Sequence, residues 1–104
     1  MTIPTTVANS QKQNLTFSLE PNHHQHLARL LGHLNENLQL IEQRLAINVS
    51  NRGNRFHLSG SSIAIKQGHQ TLQQLYQEAQ NHAELTQEMV HLALIDSHHR
   101  LQQK

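Results

Sequence analysis

Around Gly53-Asn54 two independent rules for pairing strands agree, and this constrains the fold more than any other stretch of the chain. A Gly-Asn pair between alternating segments is a two-residue turn signal. With it as the turn's central pair, Arg52 faces Arg55, Asn51 faces Phe56 and Val49 faces Leu58. The apolar residues then share one face. Asn48, Ser50, Arg52, Arg55, His57 and Ser59 share the other. A slip by one residue would turn the apolar set to the wrong side, so hydrophobicity selects the same register as the turn. A hairpin with one buried side is expected.

Upstream, Leu15, Phe17 and Leu19 alternate with Thr16, Ser18 and Glu20, the mark of a half-buried strand. Order is expected to begin at Asn14, after a flexible Thr-, Gln- and Asn-rich lead over residues 1–13, and the strand to stop at Pro21. Asn22 is placed to cap a helix carrying Leu27, Leu30, Leu31 and Leu34 on one face. Gly32 breaks that run. Asn35 is placed to cap a second helix, with Leu34, Leu38, Ile41 and Leu45 as its apolar stripe. After the hairpin, Gly60-Ser61-Ser62 reads as a loop and cap. Ile65, Gly68, Leu72, Leu75, Tyr76 and Ala79 then form the buried stripe of a third helix. Gln67, Gln70, Gln73, Gln74 and Gln77 are expected on its exposed side. Thr86 looks like an N-cap, with Leu85 and Val90 placed as a hydrophobic staple for a short last helix. Residues 97–104 are polar and read as a linker or a frayed end.

The expected class is α+β. Three strands make a sheet whose single apolar face is covered by helices, in the order strand, helix, helix, strand, strand, helix, plus the short C-terminal helix. One domain's worth of chain, 104 residues, can bury one modest core. Aromatic residues are 3%, so that core must be aliphatic. No cysteine is present, which excludes disulfides, thiolate catalysis and Cys-based zinc sites. No run of about 18 apolar residues occurs, so no membrane span is expected. The N-terminus lacks a basic start followed by an apolar stretch and does not read as a secretory signal, so a cytoplasmic location is expected.

Ten histidines invite a metal reading, with clusters at His23, His24 and His26 and at His98 and His99. A site needs three or four convergent ligands, and no carboxylate or HExxH pattern accompanies them, so no metal site is expected. G-x-S-x-G and GxxxxGK[ST] are absent, and the carboxylates are scattered over different elements. No catalytic residues are expected. The hairpin tip is more informative. Arg52 and Arg55 would sit opposite each other, which repels modestly but makes a two-pronged cationic tip suited to phosphate or a flipped-out base. The plain alternative is that both are solvated. Backbone amides at the helix start after Gly32-His33-Leu34-Asn35 could hold an anion, or the segment could be a tight turn and nothing more. Net charge is only +1, short of what binding by electrostatics alone would need.

The order of elements resembles a type I KH domain. In that family a GxxG loop between the first two helices holds the nucleic-acid backbone, facing the second strand and the loop after it. Gly32-His33-Leu34-Asn35 occupies the loop's place, with Asn35 where the second glycine would stand. The stretches 34–45, 51–60 (Asn-Arg-Gly-Asn-Arg-Phe-His-Leu-Ser-Gly), 72–76 and 84–93 are also similar to the N-terminal region of PhoH-like proteins, over about residues 14–96. The resemblance implies a KH-like domain over 14–96 and a linker, 97–104, toward a P-loop ATPase domain absent from this chain. ATP and Mg would belong only to that missing domain. It implies binding of single-stranded RNA, with Arg52, Asn54 and Arg55 on the hairpin side of a groove. Gly32, His33 and Asn35 would form the helix-junction side, with Arg29 nearby. The alternative is a protein-interaction or oligomerisation domain of the same ATPase, with its own ATPase domain or a second copy as partner.

Overall fold

The computed structural model describes residues 12–82 and 84–102. Strand β1 (Lys12–Ser18), strand β2 (Asn48–Arg52) and strand β3 (Arg55–Ser61) form an antiparallel sheet in the order β1-β3-β2. The hairpin register is the expected one: Arg52 opposite Arg55, Asn51 opposite Phe56, Val49 opposite Leu58. On the other side of β3, Leu15 pairs with Leu58 and Phe17 with Phe56. Gly53 turns the chain with φ 60°, a left-handed value that costs glycine little. Strand β1 starts at Lys12 rather than Asn14, because Lys12 and Gln13 still pair with Ser61 and Gly60. The rest of the expected lead, residues 1–11, lies outside the described residues.

The helices are α1 (His24–Leu31), α2 (Glu36–Leu45), α3 (Ser62–Asn81) and α4 (Gln87–Gln102), with a 3-10 turn, His33–Asn35, between the first two. The fold is therefore α+β, with a three-stranded antiparallel sheet and four α-helices among the described residues. Leu27, Leu30, Leu38 and Ile41 from α1 and α2 meet Phe56 and Leu58 from β3 in the core, together with Leu72, Leu75 and Tyr76 from α3. Ser61 caps α3, its hydroxyl accepting from the Ala64 amide at 3.2 Å, and Thr86 caps α4 through the Met89 amide at 3.1 Å. Leu85 and Val90, the expected staple pair, are both buried.

Several details differ from the sequence expectation: Gly60 and Ser61, expected in a loop, extend β3 by pairing with Gln13 and Lys12. Asn22 does not cap α1. The N-cap position is His23, and its amide is taken up by the Tyr76 hydroxyl at 3.3 Å, a partner 53 residues away. Leu34 is not in the apolar stripe but 79% exposed, because Leu34 and Asn35 both adopt left-handed backbone (φ 53° and 59°) and swing the chain outward. Asn35 takes the N-cap position of α2 without a side-chain cap bond. Gln67 is buried rather than exposed, donating to the Leu94 carbonyl at 3.1 Å. The last helix is not short. It spans 16 residues and carries through Ser97, whose side chain is fully buried against Thr71, so residues 97–102 are helical and only 103–104 of the expected linker fall outside the described residues.

Candidate functional site

Alternation along each strand sends odd and even residues to opposite faces of the sheet. The inner face carries Leu15, Phe17, Val49, Phe56 and Leu58 and is closed by the helices. The outer face faces solvent. Its cross-strand rows are Lys12 with Ser61, then Asn14, Ser59 and Asn48, then Thr16, His57 and Ser50, then Ser18, Arg55 and Arg52. Every one of these residues is exposed except Ser59, which is half-buried. None is acidic, and none is Phe, Tyr or Trp. An antiparallel sheet often leaves one face to water, but that does not dictate the sign of the charge it carries.

The third row is held by its own hydrogen bonds. His57 Nδ1 lies 2.9 Å from Thr16 Oγ1, and His57 Nε2 lies 3.2 Å from Asn14 Oδ1. An amide oxygen only accepts, so Nε2 donates to Asn14, while Nδ1 and the Thr16 hydroxyl share the other contact. The imidazole thus lies fixed between β1 and β3.

Arg52 and Arg55 stand side by side at the end of this face, across the turn. Neither guanidinium makes a hydrogen bond or ion pair with any described residue. With Thr16, Ser50 and His57 they line a shallow depression of about 470 Å³. Two like charges directly opposite one another destabilise a hairpin, and no carboxylate relieves them. The tip that carries them is pinned. Asn51 Nδ2 donates to the Gly53 carbonyl at 3.1 Å. Asn54 Nδ2 donates to the Leu19 carbonyl at 2.8 Å, while the Leu19 amide donates to the Asn54 carbonyl at 2.9 Å. Asn54 therefore ties the turn to the end of β1.

The remaining predicted residues lie elsewhere. Arg29 Nη1 donates to the Ala79 carbonyl at 3.0 Å, so its guanidinium satisfies the last turn of α3. Gly32 closes α1, its amide bonding the Ala28 carbonyl at 3.0 Å, and Asn35 bonds back to the Gly32 carbonyl at 3.2 Å. His33 is exposed beside them. This junction belongs to the helical layer, on the side of the sheet away from the arginine pair. Glu36 sits in the first turn of α2 and already supplies the negative charge that a helix start favours. Arg52 and Arg55 thus face each other in the hairpin beside Asn54, while Arg29, Gly32, His33 and Asn35 lie in and between the first two helices.

Lys12, Asn14, Thr16 and Ser50 complete the open face and were not among the predicted residues. The pairing of Phe17 with Phe56 would have found most of them, since it places Thr16 beside His57 and Asn14 one row further. Among the described residues no group of three or more His, Cys, Asp or Glu is placed to hold a metal ion. His23 and His26 stack at 4.0 Å between ring centroids. No helix among the described residues is long and apolar enough to cross a membrane.

No family model, curated protein or solved structure matches the chain. The functional reading rests on the sequence and on the geometry above.

Proposed function

We propose that the chain is a non-catalytic nucleic-acid-binding module that holds the phosphate backbone of single-stranded RNA. In this reading it is a KH-like N-terminal domain of a cytoplasmic PhoH-like ATPase, and the ATP- and Mg-binding residues lie in that protein's ATPase domain. The family assignment draws on the Asn-Arg-Gly-Asn-Arg-Phe segment and on the strand-helix-helix-strand-strand-helix order. The observation that carries RNA binding is the arginine pair: two exposed arginines directly opposite each other in the hairpin register, their guanidinium groups without partners among the described residues, on a face without a carboxylate. A paired cation of this kind is costly to a hairpin unless something neutralises it, and phosphate oxygens match the guanidinium fork. Fluorescence anisotropy with labelled single-stranded RNA at low salt tests the reading. Arg52→Ala with Arg55→Ala should weaken binding and lower the slope of log affinity against log salt by roughly 1.4, about 0.7 per lost phosphate contact. Affinity and slope unchanged in that double variant would sink it.

A second reading has its own observation. Leu92 and Ile95 on α4 are 56% and 52% exposed, and neighbouring apolar residues on a helix surface suit a protein contact, either with the ATPase domain or with a second copy. Light scattering, together with Leu92→Ser and Ile95→Ser, separates this from RNA binding: the two serines should abolish assembly and leave RNA affinity unaltered.

A further inference from the structure

We propose that the whole open face of the sheet, from Lys12 to the Arg52–Arg55 pair, is a track for the sugar-phosphate backbone that takes single-stranded RNA without regard to base sequence. This rests on the RNA-binding reading above and extends it from the hairpin tip to all the rows of the sheet.

Three features of the face lead there. The first is charge. The chain has eight basic and seven acidic residues. Lys12, Arg52 and Arg55 share this face with no acidic residue, so the other five basic and seven acidic residues leave a net charge of −2 elsewhere. A nearly neutral protein therefore presents one cationic side, and what guides a polyanion is local potential rather than net charge.

The second is the lack of rings. Proteins that grip bases of a single strand stack them on aromatic side chains. Here Phe17 and Phe56 point into the core and Tyr76 is buried under α1. His57 is the one ring on the open face, held at its nitrogens by Thr16 and Asn14, and no second ring stands beside it in the rows to continue a stack. What the face offers besides cations is hydroxyls and amides, from Ser18, Ser50, Ser59, Asn14, Asn48 and Thr16. Such groups bond phosphate and sugar oxygens and position a strand without reading it.

The third is length. From Lys12 to the row of Ser18, Arg55 and Arg52 is six strand steps, roughly 20 Å at about 3.3 Å each. A mononucleotide cannot touch both ends. A stacked strand rising about 3.4 Å per nucleotide needs roughly six nucleotides to do so.

The test uses the full chain and labelled ten-nucleotide homopolymers of U, A and C in anisotropy titrations from low to moderate salt. The three affinities should agree within about threefold, with a salt slope near −2, about 0.7 for each of three cations. Lys12→Ala should lower that slope by about 0.7 although the arginines are intact. Ser50→Glu, which places a carboxylate in the middle of the track, should weaken binding about fivefold. A trinucleotide should compete far less well than a decamer. All of these side chains are exposed, and unchanged circular dichroism melting confirms that the variants fold. A tenfold preference for one homopolymer, or full slope and affinity in Lys12→Ala and Ser50→Glu, would overturn the track. If the arginine double variant still loses binding, the tip alone binds and the RNA-binding reading survives. Binding indifferent to all three changes would remove both.

Discussion

At Gly32 the backbone has φ 76° and ψ −179°, a region essentially closed to residues with a Cβ. A Cβ there would also stand 2.8 Å from Asn37 Nδ2. That amide is committed: it donates to the Leu30 carbonyl at 3.0 Å and lies 3.4 Å from the Arg29 carbonyl, closing the end of α1 from a site only 1% exposed. Gly32→Ala should therefore cost about 3 kcal/mol, combining backbone strain with loss of the buried hydrogen bond. Gly53 also has positive φ, but nothing lies within 4 Å of a Cβ added there. Gly53→Ala should cost only about 1 kcal/mol of strain. Urea midpoints at unchanged slope measure both, and equal losses would contradict the steric account. The same contrast explains what could be read from residue types. Gly32 was legible as a break because glycine is costly in a helix. Asn37 was not legible, since a polar residue beside an apolar stripe gives no sign that it turns inward to cap another helix. The structural bonds of Arg29 and Asn54 were not legible either, since their partners, Ala79 and Leu19, are 50 and 35 residues away.

Helix α4 is joined to α3 by polar groups buried between them. Thr71 Oγ1 lies 2.8 Å from Ser97 Oγ and 2.8 Å from the Gln67 carbonyl, and Ser97 Oγ lies 3.0 Å from the Leu94 carbonyl. Two hydroxyl protons serve three contacts, so the pair shares them. Ser97→Ala or Thr71→Ala alone leaves the other hydroxyl without its neighbour and should cost about 1 kcal/mol beyond the lost packing. Removing both hydroxyls leaves no orphan. A double-mutant cycle should therefore show a coupling of about 0.5 kcal/mol or more between the two sites, and strict additivity would mean the contact contributes nothing. This interlock is also why α4 outran its expected length. Strands and hairpin were legible because period-two alternation survives in Leu15, Phe17, Val49, Phe56 and Leu58. The third helix was legible for the same reason at helical period. Beyond Ile95 the sequence turns polar, and a serine facing a threonine across two helices looks like any exposed serine until the helices are packed.

On the scale of the whole molecule, the sheet divides the chain into an apolar side under helices and a polar side open to water. The division was readable from alternation. The candidate site was readable only at the hairpin, because which residues of β1 join it depends on the long-range pairing of β1 with β3, from Lys12 with Ser61 to Ser18 with Arg55. Two histidines lie on the closed side of that division. His69 has its ring 4.3 Å from that of Phe17, and burial lowers its pKa. His26 is half-buried, with Nδ1 shielded and unpartnered, and burial, then the neighbouring His23 and Arg29, lower its pKa. Both therefore fall below the ordinary histidine value of about 6.5 that they regain on unfolding. As pH drops below that value the unfolded chain takes up protons that the folded chain refuses, so acid favours unfolding. The stability tied to the neutral rings is complete above the ordinary value and is lost as pH falls through the lowered ones. Carboxylates titrate mainly below this range, with ordinary values near 4. Thermal melts should hold a constant midpoint from about pH 8 to 7 and decline from about 6.5 toward 5. His26→Gln combined with His69→Gln should flatten that decline, since an amide of similar size has no proton to gain. An equally steep decline in the double variant would show that these two rings are not what acid acts upon.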